Sequence, residues 1–80
     1  MNEYRYIGIF NYERDGLPMT RMISFDSEIN TVINELMDHS TYNQNSLSNY
    51  HISEYESSWE ANDKVPPVKI RQIEMSNYVV

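Results

Sequence analysis

The chain has 80 residues, with 12 acidic and 6 basic side chains, a formal net charge of −6 and no cysteine. That length allows one domain, residues 1–80, and the lack of cysteine excludes disulfide frameworks, cysteine-type zinc sites and thiol catalysis. With 40% hydrophobic and 22% charged residues the composition is that of a globular domain, although so short a chain buries only a thin core.

The first predicted element is a β-hairpin over residues 4–25. Residues 4–12 are rich in aromatic and β-branched side chains, and both faces of this strand are partly apolar, as in a central strand. Asp15 and Gly16 predict a tight turn, because glycine adopts a positive φ without steric cost. Residues 17–25 predict the returning strand, with Pro18 at its start or at an edge because proline has no N–H to donate.

One face of the first predicted strand carries a row of aromatic residues with Gly8 among them. As a buried face the row would pack against a helix, and as an exposed face it would stack bases, as in single-strand binders. The acidic charge favours a buried face or a protein interface, and Gly8 indicates a bulge or a site where a ring packs over the strand. The row consists of Tyr4, Tyr6, Phe10 and Tyr12.

The clearest predicted element is an amphipathic helix over residues 29–37. Its apolar residues recur at i, i+3, i+4, i+7 and i+8, and Asp26 or Ser27 can cap its first turn. We expect this stripe to pack on one face of the hairpin sheet. The stripe consists of Ile29, Val32, Ile33, Leu36 and Met37. Three methionines, whose flexible side chains fill irregular gaps, are expected in the same core: Met19, Met22 and Met37.

The second half of the chain predicts its elements less directly. Residues 39–49 are polar loop formers, and residues 50–60 fit a short helix or irregular segment, which we favour, or a short strand. After two prolines, residues 68–75 predict a further strand whose apolar phase shifts between Ile70 and Ile73, as at a bulge. The expected fold class is α+β: a small antiparallel sheet (N-terminal hairpin plus C-terminal strand) with one amphipathic helix packed on a face, ordered ββα-(α or loop)-β.

The acidic charge is concentrated in the middle of the chain, where residues 22–63 contain eight Asp or Glu and no Lys or Arg. Such a surface keeps a protein soluble, and it also suits a basic partner, because complementary charge speeds encounter and rejects wrong partners. Tyr and Trp among the carboxylates, Tyr42 included, are typical interface anchors. We predict that a partner binds Glu28, Glu35, Asp38, Tyr50, Glu54, Tyr55, Glu56, Trp59 and Glu60.

No pattern in the sequence indicates an enzyme, a cofactor or a metal site. His39 lies at the end of the predicted helix, where it suits the helix dipole, and His51 with Glu54 supplies only two of the ligands that a metal needs. The serines lack a triad arrangement, and the two glycines form no phosphate-binding loop. Direct nucleic-acid binding is disfavoured because six scattered cations under a net charge of −6 form no basic patch.

The ends of the chain carry no targeting signal. The first residues lack a basic segment followed by an apolar run, no stretch approaches the about 18 apolar residues of a membrane helix, and the last residues show no lipidation motif. We therefore expect a cytoplasmic protein that does not act at a membrane.

The Tyr-rich hairpin, followed by Ser24-Phe25-Asp26-Ser27-Glu28 and the helix, resembles the opening of small phage anti-CRISPR proteins of the type I-F kind. The resemblance implies a non-enzymatic, anti-CRISPR or anti-restriction-like inhibitor in the bacterial cytoplasm, one that occupies the basic functional surface of a nuclease or nucleic-acid-binding complex. The alternatives are a self-associating structural protein, such as a homodimer paired through exposed strand edges, and an antitoxin or immunity protein.

Overall fold

A computed structural model describes residues 2–60, 63–64 and 66–78 of the chain. The elements are β1 (Asn2–Arg14), β2 (Leu17–Asp26), α1 (Ile29–Asn43), β3 (Tyr50–Glu60), β4 (Asp63–Lys64) and β5 (Val68–Glu74), with 3₁₀ turns at Leu47–Asn49 and Met75–Tyr78. Four strands form an antiparallel sheet in the order β2-β1-β3-β5, and the short β4 pairs with the far end of β3. One helix packs on one face, which confirms the α+β class.

The N-terminal hairpin forms as predicted. Asp15 and Gly16 both have positive φ, 54° and 79°, which is the backbone that a two-residue hairpin turn requires. β2 is an edge strand with Pro18 as its second residue, so the missing N–H costs little. β2 also contains an extra residue, Ile23, because Gly8 pairs with Ser24 and the next residue of β1 pairs with Met22.

Residues 50–60 form the central strand β3, so the favoured interpretation of a short helix or irregular segment is wrong. β3 is hydrogen-bonded to β1 on one side and β5 on the other, and this pairing outweighs the weak strand propensity of its Ser and Glu residues. The bulge expected in the last strand is confirmed. Ile70 is unpaired, because Glu54 pairs with Arg71 and Tyr55 pairs with Lys69.

Helix α1 extends to Asn43, which corrects the expectation that residues 39–49 are loop throughout. It ends at Gln44, whose φ of 57° is left-handed. At its other end the N-cap residue is Glu28, whose side chain makes no capping hydrogen bond. Asp26 accepts the backbone N–H of Glu28 at 2.8 Å, so it stabilises the approach to the helix rather than capping its first turn.

The core lies between α1 and the sheet, and Gly8 permits their close approach. A Cβ at Gly8 would stand 2.8 Å from Leu36 Cδ2 and 2.9 Å from Val32 Cγ1, so glycine marks a helix contact rather than a packed ring. Tyr6 and Phe10 of the aromatic row pack against this core, which favours the interpretation that this face of β1 is buried against a helix. The fully buried apolar residues are Val32, Leu36, Tyr50, Ile52 and Met75.

The predicted methionine fillers lie outside the core. Met22, Met37 and Met19 are 61%, 40% and 37% exposed, whereas Met75 is fully buried. For Met22 the reason is the extra residue Ile23, which shifts the alternation of β2 and places Met22 beside Ile9 on the face away from α1. Within the described ranges, no helix has the length and apolar character needed to cross a membrane.

Candidate interaction surfaces

The outer side of α1 carries an acidic face, defined here as Glu28, Glu35, Asp38 and Tyr42. Glu35, Asp38 and Tyr42 follow one another at spacings of three and four, so they lie on one side of the helix, and Glu28 precedes Glu35 by two turns. All four residues are exposed, and Tyr42 is 88% exposed. Because residues 22–63 contain no Lys or Arg, no cation from this part of the chain neutralises the face.

The structure does not bring the nine predicted partner-binding residues together. Tyr50 is 0% and Glu54 is 7% exposed, so burial removes both from the surface available to a partner. Tyr55 and Glu56 are half-buried neighbours on β3 and therefore point to opposite faces of the sheet. Trp59 and Glu60 lie at the end of β3, and their side chains are outside the described part of the structure.

Tyr50 holds the end of α1 to the sheet. Its hydroxyl is 2.6 Å from His39 Nδ1 and accepts a hydrogen bond from Asn45 Nδ2 at 3.3 Å. Its ring stacks on Phe10, with ring centroids 4.9 Å apart. We expected His39 to end the helix and to interact with its dipole. In the structure α1 continues past His39 to Asn43, and the His39 side chain contacts Tyr50, so both residues help to pack the helix on the sheet.

A second polar cluster lies on the helix side of the sheet, around Glu54. Arg71 Nε donates to Glu54 Oε1 at 2.7 Å, and this ion pair satisfies a carboxylate that is otherwise buried. Burial, and then a hydrogen bond to Glu54, raise the pKa of Tyr6. A hydrogen bond to Glu56, and then the charge of that carboxylate, raise the pKa of Tyr4. Both phenols therefore stay protonated to higher pH than free tyrosine.

The raised pKa values of Tyr4 and Tyr6 predict a loss of stability in alkali. In the unfolded chain both phenols lose their protons near pH 10, whereas the folded chain holds them longer. The stabilisation is thus complete below about pH 10 and is lost as the pH rises from there through the raised folded values. Urea denaturation at a series of pH values should show this decline.

A double Tyr4→Phe/Tyr6→Phe variant should flatten the alkaline decline in stability. Tyr42→Phe is the matched control, because it removes a phenol hydroxyl from an 88% exposed side chain, and the stability of this variant should decline as that of the unmodified chain does. A double variant that loses stability with pH as steeply as the unmodified chain would contradict the assignment.

The opposite side of the sheet, called the open sheet face, has no described element packed on it. Two of its apolar side chains, Phe25 and Met22, are 56% and 61% exposed. A shallow hollow of about 210 Å³ on this face is lined by Arg5, Ile7, Phe25, Tyr55, Ser57 and Pro67. The sequence indicated only that β1 has apolar residues on both faces. It gave no sign that one face stays uncovered.

His51 lies on the open sheet face and is not paired with Glu54. The two side chains are three apart on a strand, so they point to opposite faces, and the helical spacing that suggested a metal pair does not apply. His51 Nδ1 instead contacts Asn11 Nδ2 at 2.8 Å, and burial lowers the pKa of the imidazole. Among the described residues, no three His, Asp or Glu side chains converge as a metal site would require.

Comparisons with models of protein families, with curated proteins and with solved structures give no match to this chain. The features of the molecule that bear on its function are its two surfaces, the acidic face and the open sheet face.

Proposed function

We propose that the protein is a non-enzymatic binding protein that inhibits a bacterial nucleic-acid-processing or defence protein by occupying its basic functional surface. The observation that carries the proposal is the acidic face. Three exposed carboxylates and an 88% exposed tyrosine lie along one helix, in a segment of 42 residues, 22–63, without a cation.

Charge and shape both suit this role. A surface that binds nucleic acid places Lys and Arg side chains where phosphates lie. Carboxylates on a rigid helix present negative charge at repeated spacings, as phosphates do, and can therefore occupy the same basic surface. Tyr42, near the C-terminal end of α1, adds an apolar ring with a polar tip to the acidic face, and such residues often dominate binding energy. Trp59 and Glu60, at the end of β3, remain predicted partner-binding residues.

The proposal is tested with a pair of variants that change the net charge equally. Glu35→Gln/Asp38→Asn removes two charges from the acidic face. Glu13→Gln/Asp15→Asn removes two from the hairpin end, where both residues are exposed. Each variant and the unmodified chain is used to capture proteins from bacterial lysate at low and high salt, and a captured nucleic-acid-binding protein is then purified.

The purified target is assayed for nucleic-acid binding or cleavage in the presence of each chain. The unmodified chain and the hairpin variant should inhibit equally, and the acidic-face variant should inhibit about tenfold more weakly, because each lost contact charge contributes on the order of 0.5–1 kcal/mol. Two outcomes would overturn the proposal: equal inhibition by both variants, or a target whose nucleic-acid binding is unaffected by the bound chain.

A further inference from the structure

The open sheet face is ordered in rows that run across the four strands. The middle row consists of Phe25, Ile7, Ser53 and Gln72, one residue from each strand. The row on one side consists of Met22, Ile9, His51 and Glu74. The row on the other side has only three members, Arg5, Tyr55 and Lys69, because β2 ends at Asp26 before reaching it.

The charges of the two outer rows are opposite in sign at β5. One row ends in Lys69 and the other in Glu74, and Gln72 joins them within one chain by accepting from Lys69 Nζ at 3.2 Å and donating to Glu74 Oε1 at 2.7 Å. A two-fold axis along the middle row exchanges the outer rows between two copies. Lys69 of each copy then faces Glu74 of the other, so both charged positions on β5 meet an opposite charge. Arg5 lies opposite Ile9 of the other copy and keeps its ion pair with Glu3 of its own chain, at 3.1 Å.

The same axis matches the shape of the two copies. Because β2 ends early, the hollow lies beside Phe25 in the row that lacks a fourth member. The axis carries Met22 of the second copy to that vacant place, at the rim of the hollow. A methionine side chain is unbranched and flexible and fills irregular gaps, and Met22 is otherwise 61% exposed.

We propose that the open sheet face is a homodimer interface, in which two copies stack face to face about a two-fold axis along the Phe25–Gln72 row. Four strands at a spacing of about 4.8 Å, over about seven residues, give each copy a flat area on the order of 450 Å². This area is about half of the about 800 Å² per partner of a standard-size interface, so we expect a dimer of modest affinity. The acidic face lies on the opposite side of the molecule, so the dimer is independent of the proposed inhibition.

Sedimentation equilibrium over a concentration series tests the dimer. We expect the unmodified chain to dimerise, and Met22→Lys to weaken dimerisation by about a hundredfold, because its ammonium group is buried at the rim of a hollow that Arg5 lines and so lies beside a like charge. Met22 is exposed in the isolated monomer, so the variant should keep its fold, which circular dichroism can check. Glu35→Gln/Asp38→Asn is the control and should dimerise as the unmodified chain does.

A charge exchange at β5 tests the symmetry axis. Lys69→Glu and Glu74→Lys should each weaken dimerisation by about tenfold, since each places like charges opposite one another twice. The double variant Lys69→Glu/Glu74→Lys restores both pairs with their signs inverted, and its dimerisation should return to within about threefold of the original.

Several results would overturn the proposal. A chain that stays monomeric at about 1 mM lacks the affinity of a biological dimer. A dimer that persists unchanged in Met22→Lys is built elsewhere, for example by pairing of β2 edges. A double charge variant that is as weak as the two single variants would show that Lys69 and Glu74 do not meet across the interface.

Discussion

Replacing Gly8 with valine is expected to lower the free energy of unfolding by about 3 kcal/mol, at the upper end of typical overpacking costs. The new Cβ alone would stand 2.8 Å from Leu36 Cδ2 and 3.0 Å from Leu36 Cγ. Leu36 and Val32 are fully buried, so neither side chain can turn into solvent, and α1 must move off the sheet. A domain of this size is stable by only about 4–12 kcal/mol, so the loss is a large fraction of the total.

Urea denaturation followed by circular dichroism measures this loss, and a double-mutant cycle assigns its cause. Gly8→Ala should cost less when Leu36 is already alanine, because two of the three atoms nearest to the new Cβ, Leu36 Cδ2 and Cγ, are then missing. Equal costs of Gly8→Ala in both backgrounds would show that helix contact is not what requires glycine here.

Replacing Tyr50 with alanine is expected to cost about 3–5 kcal/mol, as for other large buried aromatic side chains. Its ring is 0% exposed and stacks on Phe10, and its hydroxyl contacts His39 and Asn45. Tyr50→Phe removes only the hydroxyl and leaves His39 without this partner, so it should cost about 1–2 kcal/mol.

Tyr42→Ala is the matched comparison for Tyr50, because it removes the same atoms from an 88% exposed site. It should change stability by less than about 0.5 kcal/mol while weakening binding of a partner to the acidic face. If Tyr50→Ala unfolded at the same urea concentration as Tyr42→Ala, the placement of Tyr50 in the core would be contradicted.

The elements that the sequence predicted best are those whose signals are local. Asp15 and Gly16 determine the hairpin turn by their own backbone preferences, and the apolar spacing of residues 29–37 determines the helix. The bulge at Ile70 was visible for the same reason, because it breaks the alternation within a single strand.

β3 could not be predicted with the same certainty, because its structure depends on its neighbours. Tyr50–Glu60 contains several Ser and Glu residues that do not favour strands, and the segment becomes one by pairing with β1 and β5. Once β3 is a strand, its alternation buries Tyr50 and Glu54 on the helix side. The concentration of acidic and aromatic residues in this part of the sequence had placed both on a partner surface.

Of the two candidate surfaces, only the acidic face could be predicted from the sequence. Glu28, Glu35 and Asp38 follow from helical periodicity, whereas Tyr42 joins them only because α1 continues to Asn43. The exposed position of Met22 follows from the extra residue Ile23 in β2, which no local pattern revealed.

Met75 belongs to the core but is one of the last described residues to be synthesised, so the core cannot be completed while the earlier strands and the helix are being made. Val32 and Leu36 on the helix complete their packing with Tyr50, Ile52 and Met75, which are added later. At about 5–20 residues per second, β1 waits roughly 2–9 s after the hairpin turn before the whole of β3 is available to pair with it. During that interval the aromatic row and one full edge of β1 are open to other nascent chains. Slow elongation through the codons of residues 17–60 should therefore increase aggregation without any change in the protein itself.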